Sequence, residues 1–163
     1  MAIEVLPQGR FVGRAAFVQA VRDALAQAAQ QGWNELILCD RDFEGWPLGE
    51  REVVDALQAW SRGRRLFLML ALDYRAVQVL HPRFVRWRQT WDHIIECRVP
   101  QGVDAASFPS LVLTPAWGMQ RIDAERDVVI GDHGALRRTQ WRQLADELKK
   151  NSRPGFSASV LGL

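Results

Sequence analysis

Apolar positions recur with two periods along the chain, and their alternation predicts the architecture. Over residues 13–31, Phe17, Val21, Leu25 and Ala28 fall on one face of a helix, and Gly32 stands where a helix-ending residue belongs. "ELILC", 35–39, is a short run apolar throughout, as a strand covered on both faces should be. "DRDFEGWPLG" is broken by Gly45, Pro47 and Gly49 into a loop. A second helix over 50–62 turns Val53, Leu57 and Trp60 inward, and "RLFLMLAL", 65–72, is a second buried strand.

Asp73 then caps a short helix, 74–80, and Pro82 suits the first turn of another, 82–92. "HIIECRV", 93–99, is a third strand and "LVLTP", 111–115, a fourth. Residues 116–132 predict a β-hairpin, and 135–150 a final helix with Leu136, Trp141, Leu144, Ala145 and Leu148 on its inner side. Strands alternating with helices imply one layered α/β domain over residues 1–152, followed by a tail, 153–163. The expected sheet is mixed but mostly parallel, with helices on both faces. The apolar tail residues Phe156, Val160, Leu161 and Leu163 are expected to dock on the body or on a neighbouring subunit.

The densest chemistry lies in "HPRFVRWRQTWDH", 81–93. On a helix, Phe84, Trp87 and Trp91 join the core stripe. Arg86 and His93 fall near the opposite side, with Arg83 and Arg88 on the flanks, and Arg88 can pair with Asp92 four residues on. Base stacking needs aromatics exposed among the arginines. The periodicity separates them, which leaves Arg83, Arg86, Arg88 and His93 as candidates for meeting a partner.

Charge sharpens this only locally. The whole chain carries a formal +2. Residues 34–55 hold seven acids against two Arg, whereas 56–101 hold eight Arg against three acids. Such segregation suits solvated faces paired within the chain, or acidic and basic edges meeting across a symmetric dimer. Cys39 and Cys97 sit in apolar runs, as buried thiols of a reducing compartment do, so a cytoplasmic protein is expected. The N-terminal "MAIEVLPQGR" lacks the pattern of a signal peptide, and the longest apolar run, 66–72, is too short to span a bilayer.

Catalytic patterns are sparse. Asp40 and Asp42 follow a strand, where α/β proteins bind ligands, and two carboxylates there could hold Mg²⁺ for phosphoryl cleavage together with Asp132 of "IGDHG". These pieces resemble fragments of the haloacid-dehalogenase pattern. Against it, the second strand ends Leu70-Ala71-Leu72 without Ser or Thr, no Lys precedes Lys149, and Leu136 stands where a second acid belongs. His81, His93 and His133 accompany no nucleophile elbow, and no glycine pattern supports a nucleotide site, so no cofactor is expected.

The order of pieces "FVQAVRDALAQAAQQGWNELILC", "SRGRRLFLML", "HIIECR" and "FPSLVLT" resembles one half of a phospholipase D-like domain. "HPRFVRW" also resembles stretches of short bacterial proteins. The phospholipase D signature, His-x-Lys, would fall near Phe108 and Ser110, and no His-x-Lys occurs in the chain. The resemblance therefore implies a non-catalytic half-domain. Since active members join two halves, it also implies a homodimer. It further implies a partner protein or an anionic ligand, with Arg98, Arg121 or Arg126 as anion contacts. A nucleic acid held by Arg83, Arg86 and Arg88 is the remaining alternative.

Overall fold

A computed structural model describes residues 5–157. One eight-stranded sheet carries every helix. The strands are β1 (Gly9–Val12), β2 (Glu35–Cys39), β3 (Leu66–Leu70), β4 (Ile95–Pro100), β5 (Ser110–Leu113), β6 (Gly118–Asp123), β7 (Val128–Asp132) and β8 (Ser152–Pro154). Their order is β1-β7-β6-β5-β2-β3-β4-β8. The helices are α1 (Arg14–Gln31), α2 (Arg51–Trp60), α3 (Arg75–Leu80), α4 (Pro82–Thr90) and α5 (Ala135–Lys150).

The sheet is mixed, as expected, but mostly antiparallel. Only β2–β3 and β3–β4 run parallel, while the other five pairings are antiparallel. An all-apolar run reports cover on both faces and carries no information about direction. The cover is real. Leu36 and Leu38 of β2 pack into the cluster formed by α1, α2, α3 and α4, and Ile37 and Cys39 pack into the one under α5.

Helix α1 buries Phe17, Val21, Leu25 and Ala28 as its period requires, and Gly32 ends it in the left-handed region at φ 65°. Val53, Leu57 and Trp60 of α2 are likewise buried. Asp73 accepts the Arg75 N–H at the start of α3, and Pro82 opens α4. In α5, Trp141, Ala145 and Leu148 face the sheet, but Leu136 is exposed. It lies about 140° round the helix from Trp141, outside the apolar stripe.

The chain ends supply both edge strands, β1 and β8, neither of which the apolar pattern marks. The tail boundary at 152 thus falls inside β8, which pairs with β4 from Arg98↔Pro154 to Pro100↔Ser152. Phe156 docks on the body of its own chain. It stacks on Tyr74 at 5.6 Å, and its carbonyl accepts Arg88 Nη2 at 2.9 Å. Val160, Leu161 and Leu163 lie outside the described residues. No helix among those residues is long and apolar enough to cross a membrane.

Candidate functional site

The chain leaves the parallel strand β2 at Asp40, and β5, β6 and the segment between β4 and β5 close around that end. The register explains the gathering. Cys39 stands opposite Leu111, and Ser110 opposite Arg121, so the start of β5 and the end of β6 meet the carboxyl end of β2. The result is an open cleft of about 620 Å³, walled by Asp40, Ser110 and Arg121, floored by Phe108, and rimmed by charged side chains. It occupies the position where α/β sheets characteristically take ligands.

Asp40 is the keystone of the wall rather than a free carboxylate. Its Oδ2 accepts the backbone N–H groups of Phe43 at 2.8 Å and Asp42 at 3.2 Å. Its Oδ1 meets Arg121 Nη2 at 3.3 Å. Arg121 Nη1 reaches Asp127 at 3.1 Å, and its guanidinium lies 4.4 Å from the centre of the Phe17 ring. The three charged side chains are nearly enclosed, 8%, 13% and 18% exposed respectively for Asp40, Arg121 and Asp127. Two buried polar atoms in this wall, Ser110 Oγ and Arg121 Nε, have no hydrogen-bond partner among the described residues. On the rim stand Arg41, Asp42, Asp123 and Glu125. The lining as a whole sets four carboxylates against two guanidiniums, a formal −2.

Asp40, Asp42 and Asp132, the aspartates that could together hold Mg²⁺, do not converge. Asp132 pairs with Gly118 at the far end of β7, whereas Asp123 and Val128 mark the end nearest Asp40. There Asp132 serves the start of α5. A hydrogen bond from the Gln8 side chain, the Gly134 N–H and the nearby Arg137 hold its carboxyl below the usual range. Among the described residues no three His, Cys, Asp or Glu side chains are placed to share a metal ion. Asp40 has both oxygens occupied by the fold, as an aspartate at a turn often has.

The thiols are equally committed to structure. Burial pushes the Cys39 thiol well above its ordinary range and that of Cys97 up to about 12, so neither forms a thiolate near neutrality. The imidazoles are scattered. His81 is buried and donates Nε2–H to the Phe43 carbonyl at 3.0 Å, His133 bonds Gln8, and exposed His93 lies beside Trp91.

The arginine candidates separate into five places. Arg88 is only 5% exposed, not on an open flank. It pairs with Asp92 at 2.7 Å as its spacing predicts, while its other nitrogens hold the Phe156 carbonyl. Arg98 ties β4 to β8 through Ser152 Oγ and the Ser152 carbonyl. Arg121 is in the cleft wall, and Arg126 is exposed on the β6–β7 turn.

Only Arg83 and Arg86 remain together and open. With Arg51 of α2, which no motif in the sequence marks, they line a groove of about 270 Å³ between α2 and α4. None of the three pairs with a carboxylate among the described residues; Arg83 Nη1 donates to the Gly49 carbonyl at 3.1 Å. Asp55 and Gln58 complete the groove, and Trp87 is buried beneath it.

No family model matches this chain, and no curated protein does. Among solved structures it superposes on TrmBL2, an archaeal chromatin protein whose structure shows a novel mode of DNA binding. The TM-score is 0.62 at 9% identity, over 95% of this chain and 57% of that one. The likeness is one of fold, and this chain spans little more than half of TrmBL2.

Proposed function

We propose that this chain is a non-catalytic recognition domain, a degenerate phospholipase D-like half that works as a homodimer and meets an anionic partner through the α2–α4 groove. The observation that carries the reading is the convergence of Arg51, Arg83 and Arg86 on one open groove without a carboxylate partner among the described residues. Guanidinium groups in that state suit carboxylate or phosphate forks. The non-catalytic part is supported by Phe108 and Ser110, which occupy the positions where the resemblance would put His and Lys. The dimer part is supported by the resemblance, whose active members join two such halves.

A second reading makes the anionic partner a nucleic acid. The superposition on a DNA-binding chromatin protein favours it. With Trp87 buried, contact would run through phosphates rather than stacked bases. One experiment serves both readings: binding of labelled DNA, RNA and an acidic phosphopeptide, measured across a salt series. Replacing Arg51 and Arg86 by Ala should weaken binding roughly tenfold or more and lower the nucleic-acid salt slope by about 2. Retained affinity in the double variant, or no polyanion binding at low salt, removes the groove. Light scattering that shows a strict monomer removes the dimer.

A further inference from the structure

We infer that the cleft at the carboxyl end of β2 is a separate site for an organic cation, a protonated amine or a guanidinium. Electrostatics gives the sign. The lining is a formal −2, and Asp127 stands just behind Arg121. The buried positive charge of the cleft, Arg121, is already claimed by two carboxylates, and Arg41 lies on the rim 3.8 Å from Asp42. An anion would meet Arg121 with both terminal nitrogens already claimed and only its enclosed Nε unpaired, against rim carboxylates that repel it.

The second observation is Ser110. It is 6% exposed in the cleft wall, and its hydroxyl has no partner among the described residues. A buried hydroxyl left without a bond is uncommon in a finished core. Here it offers a lone pair to an N–H reaching in from the cleft. The rim offers more acceptors of the same kind. Glu125 makes no ion pair among the described residues, and Asp42 and Asp123 spend one oxygen each on backbone N–H groups of their own turns. Acceptors thus ring the space while Phe108 and Ile122 give it apolar surface, a combination that fits an alkylammonium or alkylguanidinium. No three of these groups are close enough to enclose a metal ion, so the cation is a larger organic one.

The full chain should be titrated with argininamide, spermidine, a short Arg/Lys-rich peptide and inorganic phosphate, followed by NMR shifts and calorimetry. The expected result is binding of the cations and not of phosphate, with shifts at Ser110 and residues 122–125. Asp42→Asn with Glu125→Gln should weaken that binding about fivefold. Ser110→Ala should weaken it again, by about fivefold, and leave thermal stability unchanged or raise it, because its hydroxyl bonds nothing among the described residues. Tighter binding of the peptide supports a protein side chain as the natural occupant, and tighter binding of the free amines supports a small molecule. Phosphate binding in place of cations overturns the inference. So does cation binding unmoved by these substitutions, or no binding at all. The Arg51/Arg86 variants leave this cleft intact, so failure here and failure of the groove are read independently.

Discussion

Asp40→Ala is the most informative single change in this molecule, because it separates a structural aspartate from a catalytic one. The substitution removes the acceptor for two backbone N–H groups and one of the two partners of Arg121, whose side chain is 13% exposed. Removing one member of a buried ion pair costs about 3–5 kcal/mol, since the remaining charge stays desolvated. Asp127 keeps a bond to Arg121, which places the expected loss toward the lower end, about 3 kcal/mol. Arg121→Met should cost at least as much, about 3–5 kcal/mol, because it leaves the enclosed carboxylates of both Asp40 and Asp127 without their cation, although Asp40 still caps the turn at Phe43. The double variant should fall short of the sum by about 1–2 kcal/mol, the coupling between the two side chains. Urea unfolding reads these values as shifts of the midpoint at constant slope. An Asp40→Ala protein within about 1 kcal/mol of the parent, or more stable than it, would refute the argument. Gain of stability on removal is what a strained catalytic carboxylate shows.

Phe156→Ala empties the space over Tyr74 and uncovers Arg88, so thermal unfolding should register a loss of about 3–4 kcal/mol; a loss under 1 kcal/mol would mean that the segment after β8 is not docked. Gly131→Ala drives a methyl into the Pro7 carbonyl, which also accepts Trp117 Nε1–H at 2.9 Å, and should cost about 1–3 kcal/mol by the same measurement. The hydrogen-bonded Arg22 beside Glu50 lowers that carboxyl below its ordinary 4.5. This contribution is therefore full above pH 4.5 and is lost as pH falls through the depressed folded value. Acid titration of Glu50→Gln should show a shallower decline in that window, by less than about 1 kcal/mol for so exposed a pair; an unchanged profile would contradict it.

The elements that the sequence announced are those with a local cause. A 3.6 period, Gly32 after α1 and Pro82 at the start of α4 placed the helices within a residue or two. The β6–β7 hairpin and the strand at 35–39 also matched. What escaped depends on distant partners. Strands β1 and β8 are four and three residues long and become strands only because β7 and β4 offer open edges. Arg88 sits on the flank of its helix by spacing, yet it is buried because the Phe156 carbonyl, 68 residues away, takes its N–H groups. In the cleft, Asp40 and Asp42 were legible as acids following a strand, but the backbone N–H groups and the Arg121 that occupy Asp40 were not. Ser110, Asp123 and Glu125 carried no signal, since neither a lone serine nor a turn carboxylate is distinctive until the sheet register brings them together.

The placement of β1 also orders events in time. Val12 pairs with Val128, so β1 must wait for more than a hundred further residues before its partner exists. At ribosomal rates of 5–20 residues per second that wait is on the order of 10 s. The unit from α1 to β4 joins near neighbours and can close long before. During that interval the growing chain presents α1 without the strand that precedes it, and β5 and β6 must seat on β2 before β1 has anywhere to go. A chain stalled or cleaved between β4 and β7 would therefore carry its first strand unpaired, and that strand is where a chaperone, a protease or a second nascent chain would find an edge to add to.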